Sequence, residues 1–465
     1  MTAGSLRDDH DVRSSIDALV AWIESRMAYT GLPGCAVAIV HDQTLVWAAG
    51  LGLADVERRT PVTASTLFRI ASITKLFTAT ALLQLRDAGR LGLDDPLARH
   101  LPWFAVRSRH ADAPPITIRH LLTHTAGLSR ESGSPYWTDG EFPTAAALRE
   151  ALPGLEAVLP PETRWKYSNL ALALAGEVVS AVSGEPYADY VRRHVLEPLG
   201  MRDTFVATPP RDDPRLATGY GRRLPGSLLR PRAPFSDTQG LIAAANMTTS
   251  VTDLACFAML QFRDGPAGGA QVLRGSTLRE MQRVHWLAPD WRSGWGLGFQ
   301  VEREDGHTYV GHGGALRGFR TRLRIRPADR IAVICFTNAD DGDPLTIAQK
   351  AFAWVAPSLA ARAPADEPRA APDPGWARYT GRYRSAWADA QVLVVRGRLM
   401  LIDPTLPDPL AEPSTLVPVG EHTFRIDTPN GFGAHGELVV FELGGDERVA
   451  RVKIGDNYAE PVEAW

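Results

Sequence analysis

A serine three residues ahead of a lysine, in Ser72-Ile73-Thr74-Lys75, is the pair in this chain best suited to nucleophilic chemistry. On a helix, residues three apart share a face one turn apart, so the Lys75 amine reaches the Ser72 hydroxyl. The stretch FRIASITKLFTATALLQLRDAGRLGLDDP, from Phe68 onward, has Ile73, Leu76, Phe77, Ala81 and Leu83 at helical spacing. This predicts a buried helix ending near Gly89. Ser72 then lies in its first turn, where unsatisfied N–H groups and the positive end of the helix dipole favour negative charge. Of the 50 lysines and arginines, only Lys75, Lys166, Lys350 and Lys453 are lysines. Arginine keeps its proton in a protein, whereas a buried lysine can be neutral and act as a base. A lysine at this position of an arginine-using chain is therefore informative.

Ser-x-x-Lys alone is weak evidence, and two further elements strengthen it. Tyr167-Ser168-Asn169 precedes the apolar run LALALAGEVVSAVSG, which places a phenol and an amide in a loop entering a helix. A phenol held near a lysine ammonium loses its proton more easily and can shuttle it between serine and leaving group. The amide of Asn169 can hold the lysine or the substrate. In Gly311-His312-Gly313-Gly314-Ala315, the glycines at Gly313 and Gly314 allow close approach of backbone to a ligand. The N–H of Ala315, with that of Ser72, is placed to hold a developing oxyanion. Together the three elements predict active-site-serine acyl transfer.

These residues carry a resemblance. The stretches FRIASITKLFTATALLQL, LDDPL, ITIRHLLTHTAGL, YSNLALALAGEVVSAVSGEPYADYVRRHVLEPLGM, TTSVTDLACF, GWGLGF, GHGGALRGF and IAVICFTN run in order between residues 11 and 356. The chain resembles the serine β-lactamase and penicillin-binding-protein superfamily, in the branch of class C β-lactamases, D-aminopeptidases and related esterases. The resemblance implies Ser72 as nucleophile, Lys75 as its base, Tyr167 as proton shuttle and Asn169 as the end of the Tyr-x-Asn motif. His312 stands where the family carries the lysine of Lys-Thr-Gly. Neutral imidazole offers no fixed charge for a substrate carboxylate, which argues against a specialised β-lactamase. A second departure is Ala244-Ala245-Asn246-Met247-Thr248, where relatives carry paired glycines.

The implied fold class is α/β, more strictly α+β: a transpeptidase-like antiparallel sheet flanked by helices, with a helical subdomain holding the nucleophile. Local signals agree. Residues 11–28 carry apolar positions at helical spacing, GCAVAIVHDQTLVWAAG reads as two strands joined at His41-Asp42-Gln43, and GFRTRLRIRPADRIAVICFTN reads as a hairpin turning at Pro327–Arg330. We expect a catalytic domain over 1–356, an Ala/Pro-rich linker over 357–374 and a β domain over 375–465. The last part alternates in short segments and resembles the small lipocalin-like barrel appended to some D-peptidases and peptide cyclases.

Composition sets the class. The 465 residues are 45% apolar and 22% charged with net charge −3, which fits a soluble globular protein and gives no nucleic-acid-binding surface. No apolar run approaches membrane-spanning length. Cys35, Cys256 and Cys335 sit in apolar stretches and read as buried free thiols, and the N-terminus lacks a secretory signal pattern. Both features predict a cytoplasmic protein. His120 and His124 lie four apart without a third ligand nearby, so a packed helix end is expected there and no metal site. Arg320, Arg322, Arg324 and Arg326 alternate along one strand. They predict a solvated outer face, with a docking surface for an acidic partner such as a carrier protein, or for a substrate carboxylate, as the functional alternative. Tyr136, Trp137, Trp286, Trp291 and Trp295 are candidates to line a cleft for an apolar or peptide substrate, Trp137 and Trp286 foremost.

The chemistry needs no cofactor: Lys75 and Tyr167 deprotonate Ser72, an acyl-enzyme forms, and water, an amine or an alcohol resolves it. Histidine at position 312, a barrel-like tail and an aromatic cleft resemble the stand-alone penicillin-binding-protein-type thioesterases. Those enzymes release nonribosomal peptides by head-to-tail cyclisation through a D-residue, which implies a peptidyl thioester as substrate and a peptidyl carrier protein as partner. D-stereospecific peptidases, amidases and esterases share every motif, and a non-catalytic binding protein on this fold is the alternative from another class.

Overall fold

The computed structural model describes residues 6, 9–224, 226, 230–265, 269–360, 373–395, 397–411, 413–428 and 434–463. Its packing separates two units, residues 33–348 and a second made of residues 1–32 with 349–465.

The first unit is built on a nine-stranded sheet. The apolar strand β1 (Gly34–His41) turns through Asp42, at a left-handed φ of 51°, into β2 (Thr44–Asp55), followed by the short β3 (Thr60–Pro61). Six strands come late in the chain: β4 (Trp286–Leu287), β5 (Ser293–Trp295), β6 (Gln300–Glu304), β7 (His307–Leu316), β8 (Phe319–Arg326) and β9 (Ile331–Thr337). Their order is β3-β2-β1-β9-β8-β7-β6-β5-β4. The early and late segments meet where β1 pairs antiparallel with β9, from Cys35 opposite Thr337 to His41 opposite Ile331. The helical region between β3 and β4 covers one face of this sheet. Ala36, Ala38, Val40, Leu323, Ile325, Ile334 and Phe336 share a core with its helices.

Four of those helices position the site: α1 (Thr74–Asp87), α2 (Ile118–Thr123), α3 (Asn169–Ser183) and α4 (Val251–Leu260). Helix α1 is entered by a 3-10 turn at Ala71–Ile73 and stops before Gly89, whose φ is 71°. It is buried on every side from Thr74 to Leu83, with Phe77 stacked 4.2 Å from Phe257 of α4. Leu76, Phe77, Leu82 and Leu83 have no exposed surface. Each contributes about 2 kcal/mol of burial, enough together to offset desolvating one amine on the same helix. Helix α3 is capped at its start by the Ser168 hydroxyl, which accepts the Ala171 N–H at 3.0 Å, and ends at Gly184 in the left-handed region.

The arginine strand departs from expectation. Alternation does place Arg320, Arg322, Arg324 and Arg326 on one face of β8, yet that face is not solvated. Arg324 is 1% exposed, Arg322 and Arg326 are 7% exposed, and only Arg320 is half-buried. The cause lies in β6 and β7, whose side chains on the same face are acidic or aromatic. Arg322 pairs with Glu302 at 2.6 Å, Arg324 with Glu304 at 2.8 Å, and the Arg324 guanidinium lies 3.8 Å over the Tyr309 ring. Guanidinium remains charged when buried, so the strand needs those carboxylates. Buried in this way, Arg322, Arg324 and Arg326 present no solvated face.

In the second unit a helix over His10–Thr30 lies beside a closed eight-stranded barrel. Its Ala18 packs on Leu393, Val395 and Ile402, Trp22 meets Trp354 edge to face at 5.8 Å, and Trp22 Nε1 donates to the Leu406 carbonyl. The barrel runs β10 (Gly381–Arg384), β11 (Asp389–Val395), β12 (Arg398–Ile402), β13 (Ser414–Gly420), β14 (Thr423–Asp427), β15 (Leu438–Leu443), β16 (Val449–Ile454) and β17 (Asn457–Val462). It closes where Arg382 pairs with Val462. Alternate residues such as Tyr383, Val392, Phe424, Phe441 and Val452 fill its interior. The expected linker 357–374 falls mostly on 361–372, outside the described residues. No helix among the described residues is long and apolar enough to cross a membrane.

Candidate active site

The nucleophile sits on a strained turn. Ala71, next to Ser72, has a φ of 47°, a left-handed value that costs an alanine about 1 kcal/mol. Neighbouring bonds hold it there: Ile70 N–H donates to the Met247 carbonyl at 2.9 Å, and the Ile70 carbonyl accepts from Ile73 N–H and from the Thr321 hydroxyl. Half-buried Ser72 thus precedes α1 with its hydroxyl turned to Lys75.

Lys75 Nζ has three neighbours: Ser72 Oγ at 3.0 Å, Asn169 Oδ1 at 2.9 Å and the Ala244 carbonyl at 2.8 Å. Burial pushes its pKa well below the ordinary lysine range; Glu131 opposes that shift and Arg130 adds to it. A neutral amine has two N–H bonds and one lone pair. The Asn169 amide oxygen and the Ala244 carbonyl only accept, so they take both N–H bonds. The lone pair is left facing Ser72 Oγ, in the direction a base requires. The segment in which paired glycines were expected therefore supplies one of the acceptors that orient the base.

Tyr167 completes the first triangle. Its ring lies 5.0 Å from Lys75 Nζ, and its hydroxyl shares a hydrogen bond with Ser72. Burial pushes the Tyr167 pKa up, against the opposing effects of Ser72 and Arg130. The expectation of an acidified phenol is thereby corrected: burial outweighs the Arg130 guanidinium lying 5.0 Å over the Tyr167 ring, and the phenol rests protonated as a donor. Asn169 is locked by a residue that no motif marked. Its Nδ2 donates to both Glu131 oxygens, at 2.9 and 3.2 Å, which turns Oδ1 to the lysine. Glu131 also accepts from Tyr136 OH and pairs with Arg130 at 3.2 Å.

The edge of β7 forms the opposite wall. Strand β6 pairs with β7 only as far as Gly311, so from His312 to Leu316 that edge has no strand partner among the described residues. A Cβ on Gly314 would meet the Ile70 carbonyl at 2.2 Å, which is how closely this edge passes the nucleophile's turn. Exposed Ala315 follows directly. Gly313 is half-buried. His312 is 4% exposed, and its Nδ1 lies 2.5 Å from the Gly313 carbonyl oxygen. A carbonyl only accepts, so Nδ1 carries the proton and Nε2 presents a lone pair. Nε2 has no hydrogen-bond partner among the described residues. Burial is the main cause that pushes the ring's pKa down to about 3.

Beside this wall is an aromatic cavity of about 800 Å³ lined by Trp165, Trp286, Trp295, Pro289, Arg164 and Gln300, among others. Trp286 and Trp295 face each other across β4 and β5, and the Trp295 ring lies 5.5 Å from His312 and 6.0 Å from Tyr167. Trp291 is 75% exposed and lies outside the cavity lining. Tyr136 is fully buried, and Trp137 packs against Phe142 at 5.1 Å without lining this cavity. Sequence reasoning missed Glu131, Arg130 and Trp165, which lie in irregular segments without a spacing signal, and the Ala244 carbonyl, which lies in a short helical turn over Ile242–Ala245. His124 was visible and read only as a helix end. It does cap α2, yet its ring lies 4.3 Å from that of Tyr167.

With this geometry in place, comparison with known proteins gives a consistent result. The family model described as beta-lactamase matches residues 19–356. Esterase EstB of Burkholderia gladioli is 36% identical over 236 residues, 47% of this chain and 59% of that relative, so the chain spans under two thirds of that relative's length. A D-stereospecific amidohydrolase from Streptomyces sp. superposes with TM-score 0.59 at 25% identity, covering 72% of this chain and 97% of that one. The structure of SurE superposes with TM-score 0.61 at 25% identity over 97% of this chain and 99% of its own. The chain belongs to the beta-lactamase and penicillin-binding-protein superfamily of active-site-serine proteins.

Proposed function

We propose that this protein transfers a peptidyl group through an acyl-enzyme on Ser72, taking a thioester that ends in a D-residue and releasing it by head-to-tail cyclisation. The observation that carries acyl transfer is the buried Lys75 Nζ held 3.0 Å from Ser72 Oγ, with the Asn169 and Ala244 oxygens beside it to take N–H bonds. Lys75 takes the Ser72 proton as Oγ attacks the carbonyl, and Tyr167 protonates the departing group. The peptide's own amine then attacks the ester carbonyl and loses its proton back through the same pair.

Three observations support the finer reading. Neutral His312 offers no cation to a terminal carboxylate, and a thioester has none at its reacting end. The tryptophan-lined cavity, whose Trp295 ring lies 6.0 Å from that of Tyr167, suits a large apolar side chain. The neighbours named as a D-stereospecific amidohydrolase and as SurE with D-Leu favour D-configuration, and the second extends over 99% of this chain. A carrier protein as donor of the thioester belongs to the same proposal. Hydrolysis is the second reading, favoured by the names of the esterase and amidohydrolase relatives.

Linear peptidyl thioesters differing only in a D- or L-terminal residue separate these readings. Cyclisation yields, from the D-form alone, a product lighter than the free acid by one water. Linear acid as sole product establishes the hydrolase. Failure of a fluorophosphonate to label Ser72 removes acyl transfer and leaves a binding protein.

A further inference from the structure

His124 grips the segment that carries the catalytic phenol. It sits at the end of α2 with a φ of 58°, a left-handed conformation in which histidine and asparagine are enriched among non-glycine residues. From there its carbonyl accepts the Lys166 N–H at 2.8 Å, and its Nδ1 accepts the Ser168 N–H at 3.2 Å. Between those two bonds is Tyr167, whose ring lies against the imidazole with centroids 4.3 Å apart and planes 31° from parallel. One residue thus holds the chain on both sides of Tyr167 and the ring itself. Because Nδ1 accepts an N–H, the ring proton is on Nε2 and the imidazole is neutral. Trp295 packs on the same ring at 4.9 Å and closes it in, leaving His124 1% exposed.

We infer that His124 is the positioning residue for Tyr167, fixing the phenol where it can protonate the group leaving Ser72. This rests on the acyl-transfer reading above, though not on cyclisation. Among the described residues no hydrogen bond joins His124 to Ser72, Lys75 or Ala315, so a loosened Tyr167 should weaken leaving-group protonation more than serine attack. A leaving group that needs no proton is the internal control.

The test compares an alkyl ester with the nitrophenyl ester of the same acyl group, using the full-length protein and variants whose thermal melts match wild type. In His124→Phe, which keeps the ring and loses the acceptor, kcat/KM for the alkyl ester falls about 100-fold while the nitrophenyl ester falls less than about 10-fold. His124→Asn, with an oxygen near the Nδ1 position and tolerance of the left-handed backbone, restores most of the alkyl-ester rate. His124→Gln, whose amide reaches past that position, does not. If His124→Phe fails to fold, the Asn and Gln variants decide the matter, and equal rates on both esters in those two overturn the assignment. A parallel fall on both esters in a folded His124→Phe also overturns it. A wild-type protein that turns over neither ester defeats the acyl-transfer reading itself.

Discussion

Two buried cationic residues on this scaffold meet opposite fates, and their neighbours decide which. Lys75 and Arg324 are both within 1% of complete burial. Lys75 faces a hydroxyl, an amide oxygen and a backbone carbonyl, with its nearest carboxylate, Glu131, one residue removed behind Asn169. Arg324 touches Glu304 directly and lies over Tyr309. Neutral acceptors repay too little of the desolvation cost for an ammonium, and lysine escapes that cost by losing its proton. Arginine has no such exit and brings its counter-charge with it. The sheet therefore carries catalytic chemistry on the face toward the helices and a charge-neutralised ladder on the other.

Replacing Lys75 by arginine should sharpen this contrast most. The fixed charge cannot accept a proton, and kcat/KM for a nitrophenyl ester should fall about 1,000-fold in a protein with a native circular dichroism spectrum. Retained activity would mean that the site needs a cation and not a base. On the opposite face, Glu302→Ala leaves Arg322 buried without its 2.6 Å partner. Urea unfolding should report a loss of about 3 kcal/mol, while the folded fraction labels at Ser72 as before.

The next changes act on the lysine's proton. Activity requires the neutral amine, so kcat/KM should rise with pH through the Lys75 pKa and level off above it. Asn169→Asp puts a carboxylate beside Nζ, favours the ammonium and should move that rise to higher pH. Glu131→Gln removes the charge that currently raises the Lys75 pKa, so the rise should move to lower pH, by a smaller step. Shifts of opposite sign to these would break the comparison between the two cations.

Much of the chemistry was legible because it is local or periodic. Ser72 and Lys75 are three apart at the start of one helix, and Tyr167 and Asn169 stand at a helix entrance, so spacing alone assembles half of each pair. The strands with apolar alternation and the hairpins at Asp42 and Pro327–Asp329 followed for the same reason. The arginines of β8 were misplaced because alternation says which residues share a face and nothing of what covers it. Glu131 was missed because its loop has no period, and its importance comes from a partner in another segment.

The sequence by itself determined the cast: a serine and lysine in register, a phenol and amide at a second helix, a glycine-lined strand edge and an alternating barrel. Tertiary structure alone decided the protonation states. Lys75 meets Asn169 across 94 residues and Ala244 across 169, and those two acceptors turn its lone pair to the serine. Desolvation and hydrogen-bond direction depend on what surrounds a group in space, and the chain brings those surroundings together only when it folds.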